Sequence, residues 1–472
     1  MSDLIVVDSV LNPNIKTILV KGEPGTGKTM LASELVRTQG KGIYISVTTS
    51  NRDAVAYNPI LKDLISKGKL VQITYGTEKD SKIDNPSFNS LDALLESVAT
   101  SAGKLGGSLI VFDSWDAMLL ETIRKSSSSS SSSSSARTTS LERTKIQRSL
   151  LEIAEASGCK LLFLSEEREL KTEDYLFDSI VILRRDIVSG RLFRRLEISK
   201  LSGSPISKRT YLFSLNEGRF TAMDKPQIPS PHRFDVRFFI PRKHGKASFS
   251  TGSADLDNFF NGGMKFGSSI FIEFGGHLQT ELTLPLFSSI ECNFLASAGS
   301  CVVIPPSDVL PEMIVDHVNP YVPPSISESS FRIGSYELRD NPSFFPLDPN
   351  SLSKTREIFW EQADALKGAE KKPCFWFVGL DTLEALYGLE GILRFSVMTI
   401  QRVKYYEDIV FIVSKESTQS KKTVAGVCDS HLKLQEVDGA LAIYSIKPKS
   451  EPSCIEYNHS SGFPQVKLIP IV

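Results

Sequence analysis

One octapeptide near the start of the chain constrains the fold more than any other feature. Residues 22–29 have the sequence GEPGTGKT, which matches the pattern G-x-x-x-x-G-K-[ST]. An apolar run at 17–20 precedes the motif, and a helix-like stretch at 30–37 follows it. A strand, a glycine-rich loop and a helix in this order are what a phosphate-binding loop requires, because backbone N–H groups and the helix N-terminus then face the anion.

The motif predicts how a nucleoside triphosphate would be held. Lys28 would reach the β- and γ-phosphates, and the Thr29 hydroxyl would hold Mg²⁺. The predicted contacts with the nucleotide are made by Gly22, Glu23, Pro24, Gly25, Thr26, Gly27, Lys28, Thr29 and Met30. A glycine-rich loop that arose by chance is the alternative, and the flanking strand and helix argue against it. We predict ATP rather than GTP because an N-K-x-D motif is absent from the sequence, although the loop itself does not select the base.

The bulk composition is typical of a soluble protein with more than one domain. With 472 residues the chain is too long for one ordinary core, so two domains or slightly more are expected. The 54 Lys and Arg residues almost balance the 55 Asp and Glu residues, which gives no reason to expect strong attraction to nucleic acid. No apolar run approaches the length of a membrane span, and no secretory signal is evident. The six cysteines form no C-x-x-C pair, so we predict a cytoplasmic protein with reduced thiols.

The first half of the chain alternates predicted strands with predicted helices. The predicted strands are 43–47, 71–74, 109–113 and 160–164, and the predicted helices between them are 53–67, 91–99 and 141–156. This alternation predicts an α/β fold with a mostly parallel sheet. Three later strands separated by turn residues predict an antiparallel edge of that sheet, and they are 180–184, 192–200 and 211–215.

The second half of the chain repeats the order of the first. The sequence DNPSF occurs at 84–88 and again at 340–344, each time before a helix and an apolar strand. We expect those two strands to end at Asp113 and Asp381. The sequence FDS at 177–179 is likewise echoed by CDS at 428–430. Two matching features in matching order favour an internal duplication over chance.

Composition shifts mark a domain boundary and a low-complexity loop. Residues 223–247 are rich in proline and in basic side chains, and we interpret them as a linker between an active domain, 1–222, and a second domain, 248–472. The serine run at 126–135 is unable to bury apolar surface, so we interpret 125–138 as a disordered loop. A phosphorylation site in that loop is the alternative.

The motifs resemble, in content and in order, the KaiC branch of the RecA-fold ATPases. The resemblance is carried by the phosphate loop, the Asp113-Ser114 strand end, the segments 174–183 and 195–200, and in the second half by TGSADLD at 251–257 with NGG at 261–263. Within that branch, the short lead to the loop, the DSWD strand end and one degenerate half resemble the subgroup of the archaeal gas-vesicle regulator GvpD. The resemblance implies two tandem RecA/KaiC-like P-loop domains, mostly parallel with antiparallel edge strands, of which the second is degenerate.

Two aspartates follow the third strand of the first half. Asp113 closes this apolar strand about 85 residues after Lys28, and a carboxylate there would hold the hydration shell of Mg²⁺. The alternative is a strand-end aspartate that caps the next turn. Asp116 would either position water or cap a helix.

The positions where the family activates water are altered in this chain. The resemblance places paired glutamates where Thr48 and Thr49 stand, and a hydroxyl is a poor general base near neutral pH. Glu166 and Glu167, just past the strand 160–164, are the local candidates for the missing carboxylate. A solvated acidic pair is the equal alternative. Hydrolysis should therefore be slow.

The resemblance also implies a Lys-x-Arg pair that reaches the γ-phosphate of the neighbouring subunit. Lys200 matches the lysine, whereas Ser202 stands where the arginine would be. An arginine finger contributes on the order of 10³–10⁵ in rate, so its absence again predicts weak turnover. In the second half the pair reads Lys447 and Lys449, and this spacing alone raises the hypothesis that Lys449 donates charge to the nucleotide of the first domain.

The second half lacks a functional phosphate loop of its own. In the segment 274–281, Thr280 stands where the lysine belongs and Glu281 replaces the hydroxyl that binds Mg²⁺. Asp381 is retained, but without the lysine we interpret it as structural. We expect no triphosphate to bind there. His277 is a lone histidine in this segment, and an ordinary loop residue is the preferred interpretation over a catalytic one.

An arginine cluster forms a further candidate surface. It consists of Arg184, Arg185, Arg191, Arg194 and Arg195, across a predicted hairpin. Such a hairpin would grip either nucleic-acid phosphates or an acidic protein surface, and a solvated polar face is the equal alternative. Phe193 is the one aromatic residue there, which gives base stacking little support.

The sequence thus predicts a slowly hydrolysing ATPase that acts as a nucleotide-dependent regulatory switch through a protein partner. The predicted catalytic residues are Lys28, Asp113, Glu166 and Lys200, and the predicted metal ligands are Thr29 and Asp113. The alternatives are a DNA-acting RecA-like ATPase and a scaffold with a vestigial loop. A homo-oligomer is compatible with all three.

Overall fold

Apolar strands and helices assemble into two compact units. The structure is a computed structural model that describes residues 10–47, 57–75, 87–88, 90–127, 136–228, 236–276, 278–337, 341–368 and 372–472. The first unit comprises residues 1–224 together with 471–472, and the second comprises residues 225–470. The described end of the proline-rich segment packs within the second unit, since the Phe239 side chain is buried and its N–H donates to the Tyr321 carbonyl (2.7 Å). The role of 223–247 as a linker stays a prediction.

The first unit is built on a ten-stranded sheet whose central strands are parallel. Its strands are β1 (Thr17–Lys21), β2 (Gly42–Val47), β3 (Leu70–Tyr75), β4 (Ser87–Phe88), β5 (Leu109–Asp113), β6 (Lys160–Ser165), β7 (Ser179–Val188), β8 (Arg191–Leu201), β9 (Thr210–Ser214) and β10 (Thr221–Met223). Across the described sheet the order is β10-β9-β8-β7-β1-β6-β5-β2-β3-β4. β7 pairs in parallel with β1, whereas β7, β8, β9 and β10 pair antiparallel. The predicted parallel sheet with an antiparallel edge is therefore confirmed.

Helices cover both faces of this sheet. They are α1 (Lys28–Gln39), α2 (Pro59–Ser66), α3 (Leu91–Leu105), α4 (Trp115–Ser127) and α5 (Ala136–Ser157). Local signals start two of them: the Asn58 side chain accepts hydrogen bonds from the first turn of α2, and the Ser90 hydroxyl accepts one from the first turn of α3. The predicted disordered loop, 125–138, is wrong at its two ends, because 125–127 lie in α4 and 136–138 lie in α5; the rest of it, 128–135, lies outside the described residues. The central strands are rich in apolar residues because both faces of the sheet are buried.

The second unit repeats the ten sheet strands of the first in the same chain order and has two further short strands and additional helices. Its strands are β11 (Ser248–Phe249), β12 (Met264–Lys265), β13 (Ser269–Phe274), β14 (Ser300–Ile304), β15 (Phe331–Ser335), β16 (Phe344–Pro346), β17 (Cys374–Gly379), β18 (Ile409–Lys415), β19 (Ser430–Val437), β20 (Ala440–Lys447), β21 (Ser453–Asn458) and β22 (Gln465–Pro470). Its helices are α6 (Ala254–Phe259), α7 (Leu284–Ala296), α8 (Pro311–Val318), α9 (Pro324–Ser330), α10 (Leu352–Lys367), α11 (Leu380–Tyr387), α12 (Ile392–Tyr405) and α13 (Lys421–Val427). β11 and β12 form a separate two-stranded ladder.

The two large sheets share one topology. Read from β22 to β16, the second sheet has the order β22-β21-β20-β19-β13-β18-β17-β14-β15-β16. When β13–β22 are matched in chain order with β1–β10, each strand has the same place in its sheet, and β13 lies at the centre as β1 does. The predicted tandem arrangement is confirmed at the level of strand order.

A repeated aspartate joins the central strand to its neighbour in each unit. In the first unit Asp178 Oδ2 accepts hydrogen bonds from the Thr17 N–H (2.9 Å) and the Thr17 hydroxyl (3.0 Å). In the second unit Asp429 Oδ2 accepts the same pair from Ser269, at 2.9 and 2.7 Å. These aspartates are the middle residues of the echoed FDS and CDS triplets. The other repeat, DNPSF, lies mostly outside the described residues at 84–86 and at Asp340.

One strand ends earlier than the sequence predicts. β17 ends at Gly379, and Asp381 lies in the first turn of α11. The backbone of Gly379 passes so close to the Pro305 carbonyl that a Cβ would clash with it. This close approach, which the sequence pattern does not reveal, is where the chain leaves the sheet.

Two general expectations concern solubility and cysteine chemistry. Within the described ranges, no helix combines the length and apolarity needed to cross a bilayer. All six cysteines are free and buried.

The aspartate contact generates a stability prediction for the first unit. Asp178→Ala should lower its free energy of unfolding by about 2–4 kcal/mol, because the Thr17 N–H and hydroxyl and the Lys16 N–H all lose a charged acceptor. Urea denaturation of the full chain measures the change. Glu96→Ala, at an exposed position of α3, is the matched control, and equal losses in the two variants would contradict the prediction.

Candidate functional site

The predicted phosphate loop lies at the carboxyl ends of the central parallel strands. It connects β1 to α1, and the Gly22 N–H donates to the Ser165 carbonyl at the end of β6 (3.1 Å). Gly25 has a φ of +77°, a left-handed conformation that favours glycine. A Cβ on Gly22 would lie 2.7 Å from the Leu183 carbonyl oxygen. The two glycines are therefore required by backbone geometry as well as by the motif.

Lys28 lies folded back on its own loop. Its Nζ donates to the carbonyls of Gly22 (2.6 Å) and Glu23 (3.0 Å). Burial lowers the pKa of Lys28, and nearby carboxylates act in the opposite direction. Those carboxylates belong to Glu166, Asp113 and Asp116. The structure thus brings the loop lysine and three predicted acidic residues into one site.

Thr29 and Asp113 meet at the end of β5. The Thr29 hydroxyl donates to Asp113 Oδ2 (2.9 Å), and the Tyr44 hydroxyl donates to the same oxygen (2.5 Å). A hydroxyl and a carboxylate oxygen are hard ligands, so this donor pair fits Mg²⁺. Sequence reasoning missed Tyr44, because an aromatic residue in an apolar strand is typical of a core. The signal that identifies it is tertiary, namely the pairing of β2 with β5.

Asp116 supports the end of β6. Its Oδ2 accepts hydrogen bonds from the Ser165 hydroxyl (2.8 Å) and from the Glu166 N–H (2.7 Å). Asp116 lies in the first turn of α4. Its observed role is therefore to hold the strand end that carries the two candidate glutamates.

The two glutamates have different surroundings. Glu167 is held by Lys171 (Oε1 to Nζ, 2.5 Å) and lies near Lys21 (Oε2 to Nζ, 3.7 Å). The Glu166 residue is exposed, and its charge acts on Lys28. Of the pair, Glu166 is the one placed beside the loop.

Other predicted residues lie away from the loop or outside the described residues. Lys200 pairs with Ile180 near the start of β7, and its Nζ donates to the carbonyls of Tyr175 (2.6 Å) and Phe177 (2.8 Å). The loop follows the opposite end of the sheet, so the structure does not bring Lys200 to the loop of its own unit. The positions outside the described residues are Thr48, Thr49 and His277.

The arginine hairpin lies against the loop. Arg194 Nη1 donates to the carbonyls of Gly25 (3.2 Å) and Thr26 (3.5 Å). Arg185 Nη2 lies 4.0 Å from Glu23 Oε2. The sequence left an external partner and a solvated polar face as equal alternatives for this hairpin. Both contacts were missed, because they depend on how β7 lies beside β1.

In the second unit, polar side chains bind one another where the first unit has its nucleotide residues. The Thr280 hydroxyl donates to Asp308 Oδ2 (2.7 Å), and Lys415 Nζ lies 3.0 Å from Asp308 Oδ1. Asp381 Oδ2 accepts hydrogen bonds from the Ser307 N–H (3.0 Å) and hydroxyl (2.6 Å). Thr280, at the lysine position of the degenerate loop, is part of this internal network.

Glu273 occupies, in the second unit, the position that Lys21 occupies in the first. Its Oε2 accepts a hydrogen bond from His431 (3.2 Å), and its Oε1 lies 3.3 Å from Lys421 Nζ and 3.6 Å from Lys433 Nζ. The His431 hydrogen bond lowers the pKa of Glu273 most, partial burial opposes it, and the two lysines lower it further, to about 2. The carboxylate is thus held in its charged form.

These features define a class, and comparison with known proteins identifies the same class. A glycine-rich loop at the carboxyl ends of a parallel sheet, with a hydroxyl and a carboxylate that suit Mg²⁺ on neighbouring elements, is typical of a RecA-fold P-loop ATPase. Residues 8–225 match the family model described as "ATPase: KaiC". The first unit is a KaiC-type ATPase domain, and the resemblance to the KaiC-like branch is confirmed.

The relatives extend the likeness to both units. Protein GvpD2 and Protein GvpD1 of Halobacterium salinarum are 23% and 20% identical to this chain, over 97% of it and 94% of their own lengths. The circadian clock oscillator protein KaiC of Thermosynechococcus vestitus is 25% identical over 221 residues, which are 44% of this chain and 40% of that protein. The expected GvpD-like subgroup within the KaiC-like branch is therefore confirmed.

The Glu273 cluster predicts a pH-dependent stability. Glu273→Gln should lower the free energy of unfolding by up to about 3 kcal/mol near neutral pH, because the pKa is depressed from 4.5 to about 2 in the folded state. A carboxylate whose pKa is lower in the folded state contributes its full stabilisation when the pH is above its pKa in the unfolded chain. For Glu273 this contribution to the free energy of unfolding is lost as the pH falls from about 4.5 to about 2.

Urea denaturation at a series of pH values measures this difference between the wild type and the variant. Glu436→Gln, at an exposed position of β19, is the matched control and should show no such window. A stability difference that stays constant as the pH falls would contradict the prediction.

Proposed function

We propose that this protein is an ATP-binding, slowly hydrolysing regulatory ATPase whose first unit acts as a nucleotide-dependent switch through a protein partner. The observation that carries the proposal is the convergence of Lys28, Thr29 and Asp113 at the carboxyl ends of the central strands. The KaiC-type family match over residues 8–225 supports the ATPase assignment.

The proposed roles follow from the contacts of each side chain. Lys28 exchanges its two loop carbonyls for phosphate oxygens when ATP binds, which gives its buried ammonium an anionic partner. Thr29 and Asp113 hold Mg²⁺, which neutralises charge on the phosphates. Tyr44 fixes the Asp113 carboxylate through its hydroxyl.

Slow turnover is supported by the surroundings of the candidate base. Glu166 is exposed, so bulk water surrounds the carboxylate that would have to activate the attacking water. Lys200 lies at the other end of the sheet from its own loop, and we propose that it reaches a nucleotide only from a neighbouring copy in a homo-oligomer. The chain therefore binds ATP through a complete set of residues and hydrolyses it through an incomplete one.

The contacts among polar groups in the second unit support nucleotide binding by the first unit alone. Asp308 contacts both Thr280 and Lys415, so a phosphate would have to displace internal bonds to bind there. We propose that the second unit binds no triphosphate. The hypothesis that Lys449 donates charge to the nucleotide of the first unit rests on sequence spacing alone.

A DNA-acting RecA-like ATPase is the alternative function. The observation that favours it is the arginine hairpin formed by β7 and β8. However, Arg194 donates to the carbonyls of Gly25 and Thr26, which commits this arginine to the phosphate loop rather than to an external strand. The balanced overall charge also gives no electrostatic attraction to nucleic acid.

The test is ATP binding and steady-state hydrolysis by the full chain, with and without single-stranded DNA. We expect Mg²⁺-dependent binding, turnover well below about 1 s⁻¹ and no response to DNA. Lys28→Ala should weaken binding by about 10–100-fold, because a charge-assisted contact with phosphate is lost. Lys62→Ala, at an exposed position of α2, is the control and should bind as the wild type does.

Two outcomes would contradict the proposal. Fast or DNA-stimulated turnover that Lys28→Ala abolishes would establish the DNA-acting RecA-like ATPase instead. Failure of the wild type to bind ATP would establish a scaffold with a vestigial loop.

A further inference from the structure

We propose that Arg185 contacts the γ-phosphate of the nucleotide bound in its own chain, and that Arg194 positions the phosphate loop beneath it. Arg185 would thereby supply, from within the chain, positive charge that is missing at Ser202. This inference rests on the proposed function, because it requires ATP in the loop of the first unit.

The strand register carries the side chain to the loop. β7 runs parallel to β1, with Ile182 beside Lys21, the last residue before the loop. β7 continues to Val188, so Arg185 lies alongside the loop rather than alongside the strand. A Cβ built on Gly25 would lie 3.4 Å from Arg185 Nη1, which places this guanidinium over the middle of the loop.

Arg185 and Arg194 are direct partners across the two strands of the hairpin. Direct partners in an antiparallel pair project from the same face, and two like charges in these positions destabilise the pair. In the described part of the chain, the carboxylate within 4.0 Å of Arg185 is that of Glu23, which also forms an ion pair with Arg168. An anion on this face would relieve the repulsion.

The adjacent arginine pair on the opposite face of the hairpin shows the contrast. Arg184 is the direct partner of Arg195. Arg184 Nη2 lies 3.1 Å from Glu197 Oε2, and Arg195 Nη1 lies 2.7 Å from Asp186 Oδ2. On that face each arginine has a close carboxylate of its own. On the face that meets the phosphate loop, Arg194 donates to the oxygens of Gly25, Thr26 and Val472, whereas Arg185 has only a long contact with Glu23 among the described contacts. Arg185 is therefore the arginine that lacks a close anionic partner.

The two arginines of this face have different tasks. Arg194 uses Nη1 to hold the carbonyls of Gly25 and Thr26, and burial together with the charge of Arg185 lowers the pKa of Arg194. The Arg185 side chain is 40% exposed and makes one long contact with Glu23. A guanidinium has five N–H donors, so Arg185 has donors for a phosphate.

The position suits the charge that develops during hydrolysis. The water oxygen forms a bond to the γ-phosphorus, and the bond from that phosphorus to the bridging oxygen breaks with its electron pair remaining on ADP. The proton of the attacking water passes to the Glu166 carboxylate and then to solvent. A guanidinium at the γ-phosphate stabilises the negative charge of this group both in bound ATP and during transfer.

The experiment compares Arg185→Ala with Arg184→Ala, its neighbour on the opposite face. Equilibrium binding gives the affinities for ATP and ADP, and single-turnover hydrolysis is measured at several chain concentrations. Arg185→Ala should lower the preference for ATP over ADP by about 10–100-fold and leave ADP binding unchanged, because one charge-assisted contact to the γ-phosphate is lost. Arg184→Ala should match the wild type in both measurements.

Two further variants separate the roles of the hairpin arginines. Arg185→Lys retains the charge without the planar fork, and it should recover part of the ATP preference. Arg194→Ala should weaken ATP and ADP alike, because it loosens the loop that both nucleotides use. Thermal unfolding of each variant confirms that it is folded.

The outcomes distinguish this inference from the function on which it rests. An unchanged ATP preference and rate in folded Arg185→Ala, with ATP binding still weakened in Lys28→Ala, would overturn the inference and leave the proposed function standing. A hydrolysis rate per chain that rises with chain concentration and is unchanged by Arg185→Ala would show that the positive charge at the γ-phosphate comes from a neighbouring copy. Failure of the wild type to bind ATP would overturn both.

Discussion

The parallel pairing of β1 with β6 on one side and β7 on the other is the constraint on which the site depends. β1 is buried throughout and ends at Lys21, whose side chain forms a buried ion pair with Asp174 (2.5 Å). At its other end Asp178 holds Thr17. With both ends fixed, the loop after Lys21 has to emerge between the ends of β6 and β7. That position brings Ser165 to one side of it and the arginine hairpin to the other.

The second unit has the same arrangement of central strands with different loop residues. It has the same strand order and the same aspartate contact at the start of its central strand. Glu273 replaces the lysine at the end of that strand, and its partners are basic instead of acidic. Thr280 then binds Asp308 in place of a phosphate ligand. The shared strand order is thus kept although the residues of the loop and of the strand end before it differ.

Much of this arrangement was predictable because its signals are local in the sequence. The loop motif, the apolar strands and Asp113 each depend on a short stretch of chain, and the structure contains all of them. The contacts of Tyr44 with Asp113 and of Arg185 with the loop were not predictable, because they arise from pairing between strands far apart in sequence. The end of β17 was predicted wrongly for a similar reason, since Gly379 leaves the sheet against the distant Pro305. Site residues within a contiguous motif can be predicted from the sequence, whereas site residues brought together by strand pairing cannot.

The central claim is that one unit of this chain binds nucleotide and the other has replaced that site with internal contacts. The most direct test is the stoichiometry of Mg²⁺-ATP binding to the full chain at saturation, measured by equilibrium dialysis or calorimetry. We predict one nucleotide per chain, bound about 10–100-fold more weakly by Lys28→Ala. Two nucleotides per chain, or one whose affinity is the same in Lys28→Ala, would contradict the claim.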